Sequence, residues 1–228
     1  ATVGQPYGII QGKTWNLKDG QKLVKANGRY DISTTTTNNI GNVNPNWIGG
    51  VNNSFRYKNL TFNFLIDIKQ GGNVFSLDQY YGAATGVLAE SAGLNDKGNP
   101  SRNSIADGGG VIMPGVKADG TPNDIRVENE YGTYGYAYNP AAAFVYDASY
   151  IKLREANLVY SLPSSIVRKL GGVKGVDLSV FGRNLWIIQK FVPYADPEEN
   201  LSSGNVQGYQ SGAYPTTRSI GFNVKLLF

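Results

Sequence analysis

Between Leu60 and Lys69 every second residue is large and apolar: Leu60, Phe62, Phe64, Ile66 and Ile68. Thr61, Asn63, Asp67 and Lys69 lie between them, with Leu65 the one exception. Successive side chains of a strand point to opposite faces, so this stretch has one apolar and one polar face. Strands of soluble sheets are most often about five or six residues long. A run of this length, apolar on one side only, matches instead the roughly 9–11 residues with which a barrel strand crosses a bilayer. The same pattern closes the chain, where Ile220, Phe222, Val224, Leu226 and Phe228 alternate with Gly221, Asn223 and Lys225, and Leu227 again departs from it. A strand ending on an aromatic residue is familiar from outer-membrane barrels, so these five are expected to face lipid.

Five such strands are predicted, at 47–57, 60–71, 146–162, 175–190 and 217–228, with connections of about 2, 74, 12 and 26 residues. Antiparallel strands reverse at each step, so the short connections gather on one side and the long ones on the other, as in a transmembrane barrel. The expected fold class is all-β, the C-terminal five or so strands of a large antiparallel transmembrane β-barrel with long extracellular loops. Residues 1–46, 72–145 and 191–216 are read as extracellular loop regions and 163–174 as a periplasmic turn. The first of these holds turn formers and a polar hairpin on Asp19-Gly20, and is read as exposed structure, not core. Asn63, Asp67, Lys69, Asp177, Arg183, Asn223 and Lys225 are the candidates for the barrel lumen. Strict alternation places Lys152 and Arg154 on the apolar face with Ala156, Leu158, Tyr160 and Leu162, a position tolerable only at or beyond the lipid headgroups.

Composition narrows the chemistry. The chain has 228 residues with no cysteine and no histidine, which excludes disulfide scaffolds, thiol nucleophiles, His-based triads and Cys or His metal sites. A net charge of +4 without a basic run gives no reason to expect nucleic acid. Asp196, Glu198 and Glu199 form the tight acid cluster. Asp196, Glu198 and Asn200 offer oxygens to a Ca²⁺, yet their spacing matches no calcium-loop motif. In a Pro/Gly/Ser loop the plain reading is solvated acids, and no catalytic residues or cofactors are expected. Tyr131, Tyr134, Tyr136 and Tyr138 are candidates for contact with a ligand or partner, since tyrosine offers amphipathic surface at low entropy cost. Packing of a large loop on itself would explain them as well.

Several strings resemble the SusC/RagA family of TonB-linked outer-membrane transporters. They are Gly41-Asn42-Val43-Asn44-Pro45-Asn46-Trp47-Ile48-Gly49-Gly50 leading to Tyr57-Lys58-Asn59, Tyr146-Asp147-Ala148-Ser149-Tyr150-Ile151-Lys152-Leu153-Arg154-Glu155 with the exit Tyr160-Ser161-Leu162-Pro163, Gly182-Arg183-Asn184-Leu185, and Tyr214-Pro215-Thr216-Thr217-Arg218. The resemblance implies the C-terminal part of a 22-stranded barrel that encloses a plug. It implies a bacterial outer-membrane importer of large nutrients, glycans or peptides, that performs no catalysis. Its partners would be the rest of the barrel and plug, a SusD-like surface lipoprotein, TonB and the lipid. Both lateral edges of these strands should then pair with strands outside the chain. The rival is a soluble secreted β-sandwich, such as a carbohydrate-binding or adhesin module, which explains the tyrosines and glycines but not the long one-faced strands.

Overall fold

The computed structural model describes residues 3–199 and 207–228. The chain divides into two compact units, taken separately below. The strand unit comprises residues 45–72, 148–199 and 214–228, and the loop unit comprises, of the described residues, 3–44, 73–147 and 207–213.

The strand unit is built on β1 (Trp47–Tyr57), β2 (Leu60–Gln70), β3 (Tyr150–Ser161), β4 (Gly175–Lys190) and β5 (Ser219–Leu227). They form one five-stranded antiparallel sheet whose spatial order follows the chain. β1 and β2 are joined by the two-residue turn Lys58-Asn59, and β3 and β4 by a short helical turn at Ser164–Val167 that ends in Gly171 and Gly172. Both glycines sit at positive φ, where a Cβ would strain the backbone. Among the described residues, no strand pairs with the outer edge of β1 or β5, so the sheet is open.

Register aligns the alternation across strands. Leu60, Phe62 and Phe64 stand opposite Tyr160, Leu158 and Ala156, which stand opposite Leu178, Val180 and Gly182, and these in turn face Val224, Phe222 and Ile220. Phe55 joins from β1 and stacks on Phe64 with ring centroids 6.2 Å apart. Most of these side chains are exposed, Ile220 at 73% and Phe222 at 63%. So large an uncovered apolar surface is not the outside of an ordinary soluble sheet.

One feature of β3 departs from simple alternation. Its register to β2 runs Lys152 to Asp67, Leu153 to Ile66, then Glu155 to Leu65, leaving Arg154 without a partner. The facing strand is irregular at the same level, where Asn184 adopts φ 49°. A bulge inserts one residue and reverses which side chains share a face. Below it Ala156, Leu158 and Tyr160 belong to the apolar face; beyond it Leu153 and Ile151 do, opposite Ile66 and Ile68. Lys152 therefore lies on the polar face beside Asp67, which corrects the placement that strict alternation gave.

Other expectations also need correction. The segment 146–162 is not one strand: Val145–Asp147 pairs with Asn73–Ser76 inside the loop unit, and β3 begins at Tyr150. The fold is mainly β, not all-β, because the loop unit contains the helix α1 (Leu77–Thr85). Ser76 caps it by accepting from the Gln79 amide, and Gly86 closes it in the left-handed conformation. Residues 1–46 are not uniformly exposed either. Val24 and Tyr30 are buried against Met113 and Val127, with Trp15, Ile32 and Val111 around them. These apolar groups meet partners some ninety residues away, so no local period announces them. The hairpin on Asp19-Gly20 is present, with both turn residues at positive φ.

Candidate functional site

The polar face of the sheet carries the densest cluster of charge in the strand unit. Because the bulge frees Arg154 from strand pairing, its guanidinium can reach in two directions. Nε lies 3.2 Å from the Asp67 carboxylate, which Nη2 also contacts. Nη1 and Nη2 fork onto the two oxygens of Glu198 at 2.8 and 2.6 Å. Nη1 also donates to the side-chain oxygen of Asn184 at 3.0 Å, and the Asn184 amide donates to the Thr217 carbonyl. Asparagine suits that position because it tolerates the left-handed backbone conformation.

Lys152 completes the cluster. Its ammonium pairs with Asp196 and lies 2.6 Å from Glu198. The Lys152 and Asp196 side chains are only 2% and 3% exposed. Tyr150 donates to Glu198 at 3.1 Å. Asp196 also accepts from the Glu198 amide and from the backbone and hydroxyl of Thr216. Two cations thus face three carboxylates, and the strands β2, β3 and β4 hold the segments around 196–198 and 216 against the polar face.

Electrostatics keep the loop acids ionised. Burial alone would raise the Glu198 carboxyl, but hydrogen bonds and charge from Arg154 and Lys152 outweigh it and bring it down to about 2. Asp196 moves the same way: burial opposes, while Lys152, Thr216 and the Glu198 amide hold the carboxyl below its ordinary value. A carboxylate saturated with donors is neither a ready general acid nor an open metal ligand. The reading of Asp196 and Glu198 as solvated loop acids is therefore corrected: they are the anchor of the site. Their oxygens are committed to Lys152 and Arg154, and among the described residues no group of three or more acids is arranged to hold a metal. Asn200, the third oxygen donor considered for Ca²⁺, lies outside the described residues.

Of the seven polar-face candidates, Asp67 enters this cluster. The others share its face but spread along the sheet. Asn63 stands opposite Asn157, Lys69 opposite Tyr150 and Asn223 opposite Ser179. Asp177 accepts from the Ser161 hydroxyl at 2.6 Å and stands opposite Lys225. Arg183 lies 3.4 Å from Glu155, both well exposed. On the other face, Ile220, Phe222, Val224 and Leu226 are all exposed, and Phe228, one residue past the end of β5, is exposed as well. Tyr150, Asn184 and Thr216 were not singled out from the sequence, and Lys152 and Arg154 stood out only as cations on the face that strict alternation made apolar. The available signal was the pair of cations on what alternation made an apolar face, a contradiction that a bulge resolves.

The four tyrosines of the loop unit do not form one surface. Tyr136 stacks on Tyr80 at 5.0 Å and meets Tyr81 and Tyr131 edge-on. Tyr138 lies under the Arg29 guanidinium at 4.0 Å and donates to Glu130. Tyr134 lines a cavity beside Tyr30. Tyr131 is exposed, while the other three are partly covered.

No family model matches the chain. Among curated proteins it is similar to TonB-dependent receptor P26 of Formosa agariphila, 31% identical over 221 residues, covering 92% of this chain and 20% of the relative. It is also similar to TonB-dependent receptor P3 of the same organism, 28% identical over 214 residues, covering 90% and 19% respectively. Among solved structures, the RagAB peptide importer in its open-open state superposes with a TM-score of 0.59 at 16% identity, covering 96% of this chain and 22% of that one. Its closed-closed state gives 0.57 at 15% identity. The chain spans about a fifth of the length of the curated relatives it matches. Over that stretch it is homologous to TonB-dependent receptors, which are outer-membrane transporters and not enzymes.

Proposed function

We propose that this chain forms part of the barrel wall of a SusC/RagA-type importer that carries large nutrients, glycans or peptides, across the outer membrane. The observation that carries this reading is the two-sided sheet. Its apolar face is long, continuous and uncovered, while the opposite face holds Asn63, Asp67, Lys69, Asp177, Arg183, Asn223 and Lys225. In a soluble sandwich the apolar face would be the buried one. In lipid it is the outer surface, and the open edges of β1 and β5 require further strands, because unpaired backbone is not tolerated in hydrocarbon. The polar face then lines the lumen, and the segment held by Lys152 and Arg154 is a stretch of extracellular loop folded inward against the wall. A SusD-like lipoprotein over the loops, TonB as energy source, and a plug complete the assembly in this reading. The RagAB likeness supports it, RagAB being described as a peptide importer.

The test uses the absence of native cysteine. Single cysteines at Phe222, Asn223, Val224 and Lys225 are treated with a small maleimide in isolated outer membranes. N223C and K225C should label, and F222C and V224C should label only after detergent. Uniform labelling, or release of the protein from membranes without detergent, would overturn the proposal.

A further inference from the structure

The end of the sheet where the short connections lie carries charge of one sign. Lys58 is in the turn between β1 and β2, Arg168 and Lys169 are in the connection between β3 and β4, and Lys174 stands just before β4. All four are exposed. No Asp or Glu occurs at 56–61 or at 160–176. Among the described residues none of the four cations has a carboxylate within 4.0 Å. Asp177, the next acid along the chain, belongs to the polar face, where it stands opposite Lys225 and accepts from the Ser161 hydroxyl. The opposite end of the sheet is different: there Lys152 and Arg154 are matched by Asp67, Asp196 and Glu198. Like charges left unmatched repel one another and favour an anionic partner.

The same connection is amphipathic. It runs as a helical turn at Ser164–Val167 and a tighter one at Arg168–Leu170. Val167 is buried, and the turn packs against the start of β4, where Val176 is the buried foot of the apolar face. Ile166 and Leu170, four residues apart, are nevertheless exposed at 47% and 50%. Tyr57 and Tyr160, at this end of the apolar face, are exposed as well. Exposed apolar side chains with flanking cations and neighbouring tyrosines are the make-up of a segment lying in the headgroup layer of a membrane. A free phosphate would use the cations and leave Ile166 and Leu170 in water. Because the turn sits at the foot of the apolar face, what covers that face reaches the turn. We infer that this rim binds an anionic phospholipid, with Lys58, Arg168, Lys169 and Lys174 at the level of its phosphate and Ile166 and Leu170 at the boundary of its acyl chains. The inference rests on the reading of the sheet as barrel wall, and the experiment separates the two.

The intact protein is reconstituted in phosphatidylcholine vesicles with one fluorophore, at S165C in the turn or at V180C on the apolar face. Each is quenched with doxyl-labelled phosphatidylglycerol or doxyl-labelled phosphatidylcholine. At S165C the anionic lipid should associate about fivefold or more strongly than the zwitterionic one, the worth of about one cation at an anionic surface. R168Q, K169Q and K174Q together should bring that preference to within about twofold of unity. Quenching at V180C should be the same with and without the three substitutions. Glycerol phosphate in solution should not displace the lipid. Equal association of the two lipids at S165C, an undiminished preference in the triple variant, or displacement by glycerol phosphate would overturn the assignment. So would quenching at V180C with none at S165C, which would put the turn against protein or water while the barrel reading stands. Absence of quenching at V180C itself would overturn the barrel reading and this inference with it.

Discussion

Arg154 grips Glu198 with a two-pronged contact, Nη1 to Oε2 at 2.8 Å and Nη2 to Oε1 at 2.6 Å, while the same guanidinium holds Asp67 on the neighbouring strand. Lysine carries the charge but has no planar fork, so it cannot reproduce both contacts. R154K should weaken docking of the 191–199 segment by about 1.5–3 kcal/mol, the range for hydrogen bonds to charged groups. Hydrogen exchange of the intact protein would show faster exchange in that segment and unchanged protection in β2 and β4. Unchanged exchange throughout would mean that the fork contributes nothing.

Lys152 gives a larger effect for a different reason. Its charge lies with Asp196 away from water, and removing one member of a buried pair strands the other. K152M should cost about 3–5 kcal/mol in local stability, more than R154K, because among the described residues Asp196 then keeps Thr216 and the Glu198 amide as its donors. Limited proteolysis in the 191–199 segment is the measurement. Resistance equal to the parent would show that the pair is dispensable.

The same contacts set the response to acid. Glu198 falls from an ordinary 4.5 to about 2 in the folded protein, so its contribution to docking is fully present above 4.5 and is lost as pH falls toward 2. Asp196, also lowered, changes in the same direction. Exchange in the 191–199 segment, corrected for the intrinsic pH dependence of amide exchange, should be flat from pH 7 to 5 and rise only below about 4.5. Release on raising the pH from 5 to 7 would contradict the assignment.

The strands were legible because each declares itself over its own residues. Leu60 to Ile68 and Ile220 to Leu226 alternate so regularly that the face of each side chain follows from period alone, while the register between strands is seen only in the structure. The cluster was not legible, since every one of its ion pairs spans more than forty residues, as between Lys152 and Asp196 or Arg154 and Asp67. Local spacing holds no trace of such pairs. The bulge at Arg154 hid them further by reversing the parity of everything upstream of it in β3. Tyr30 and Val24 escaped for a related reason: their partners Met113 and Val127 lie in another irregular segment, and irregular segments have no period to read.

Two neighbouring residues of β4 separate the faces energetically. Val180 lies on the exposed apolar face between Leu158 and Phe222, and Ser179 on the polar face between Val159 and Asn223. If the apolar face meets lipid, V180K should destabilise the protein by about 2–4 kcal/mol near the membrane midplane, while S179K should cost little. Denaturant titration in lipid vesicles gives both values. Equal costs for the two lysines would remove the distinction between the faces.

Gly221 and Phe181 are directly paired across β5 and β4 on the polar face. A Cβ built at Gly221 would lie 2.5 Å from Cζ of the Phe181 ring and 2.8 Å from Cε1, closer than packed atoms come. The ring therefore covers the glycine, as aromatic residues do for glycine in twisted sheets. G221A should push the ring off its position and cost about 1–3 kcal/mol, the usual range for overpacking. The penalty belongs to the pair and not to the strand, so it should largely vanish when the ring is removed. In a double-mutant cycle, F181A and G221A together should cost less than the sum of the single changes by about 1 kcal/mol or more. Strict additivity would show that the glycine serves the backbone alone.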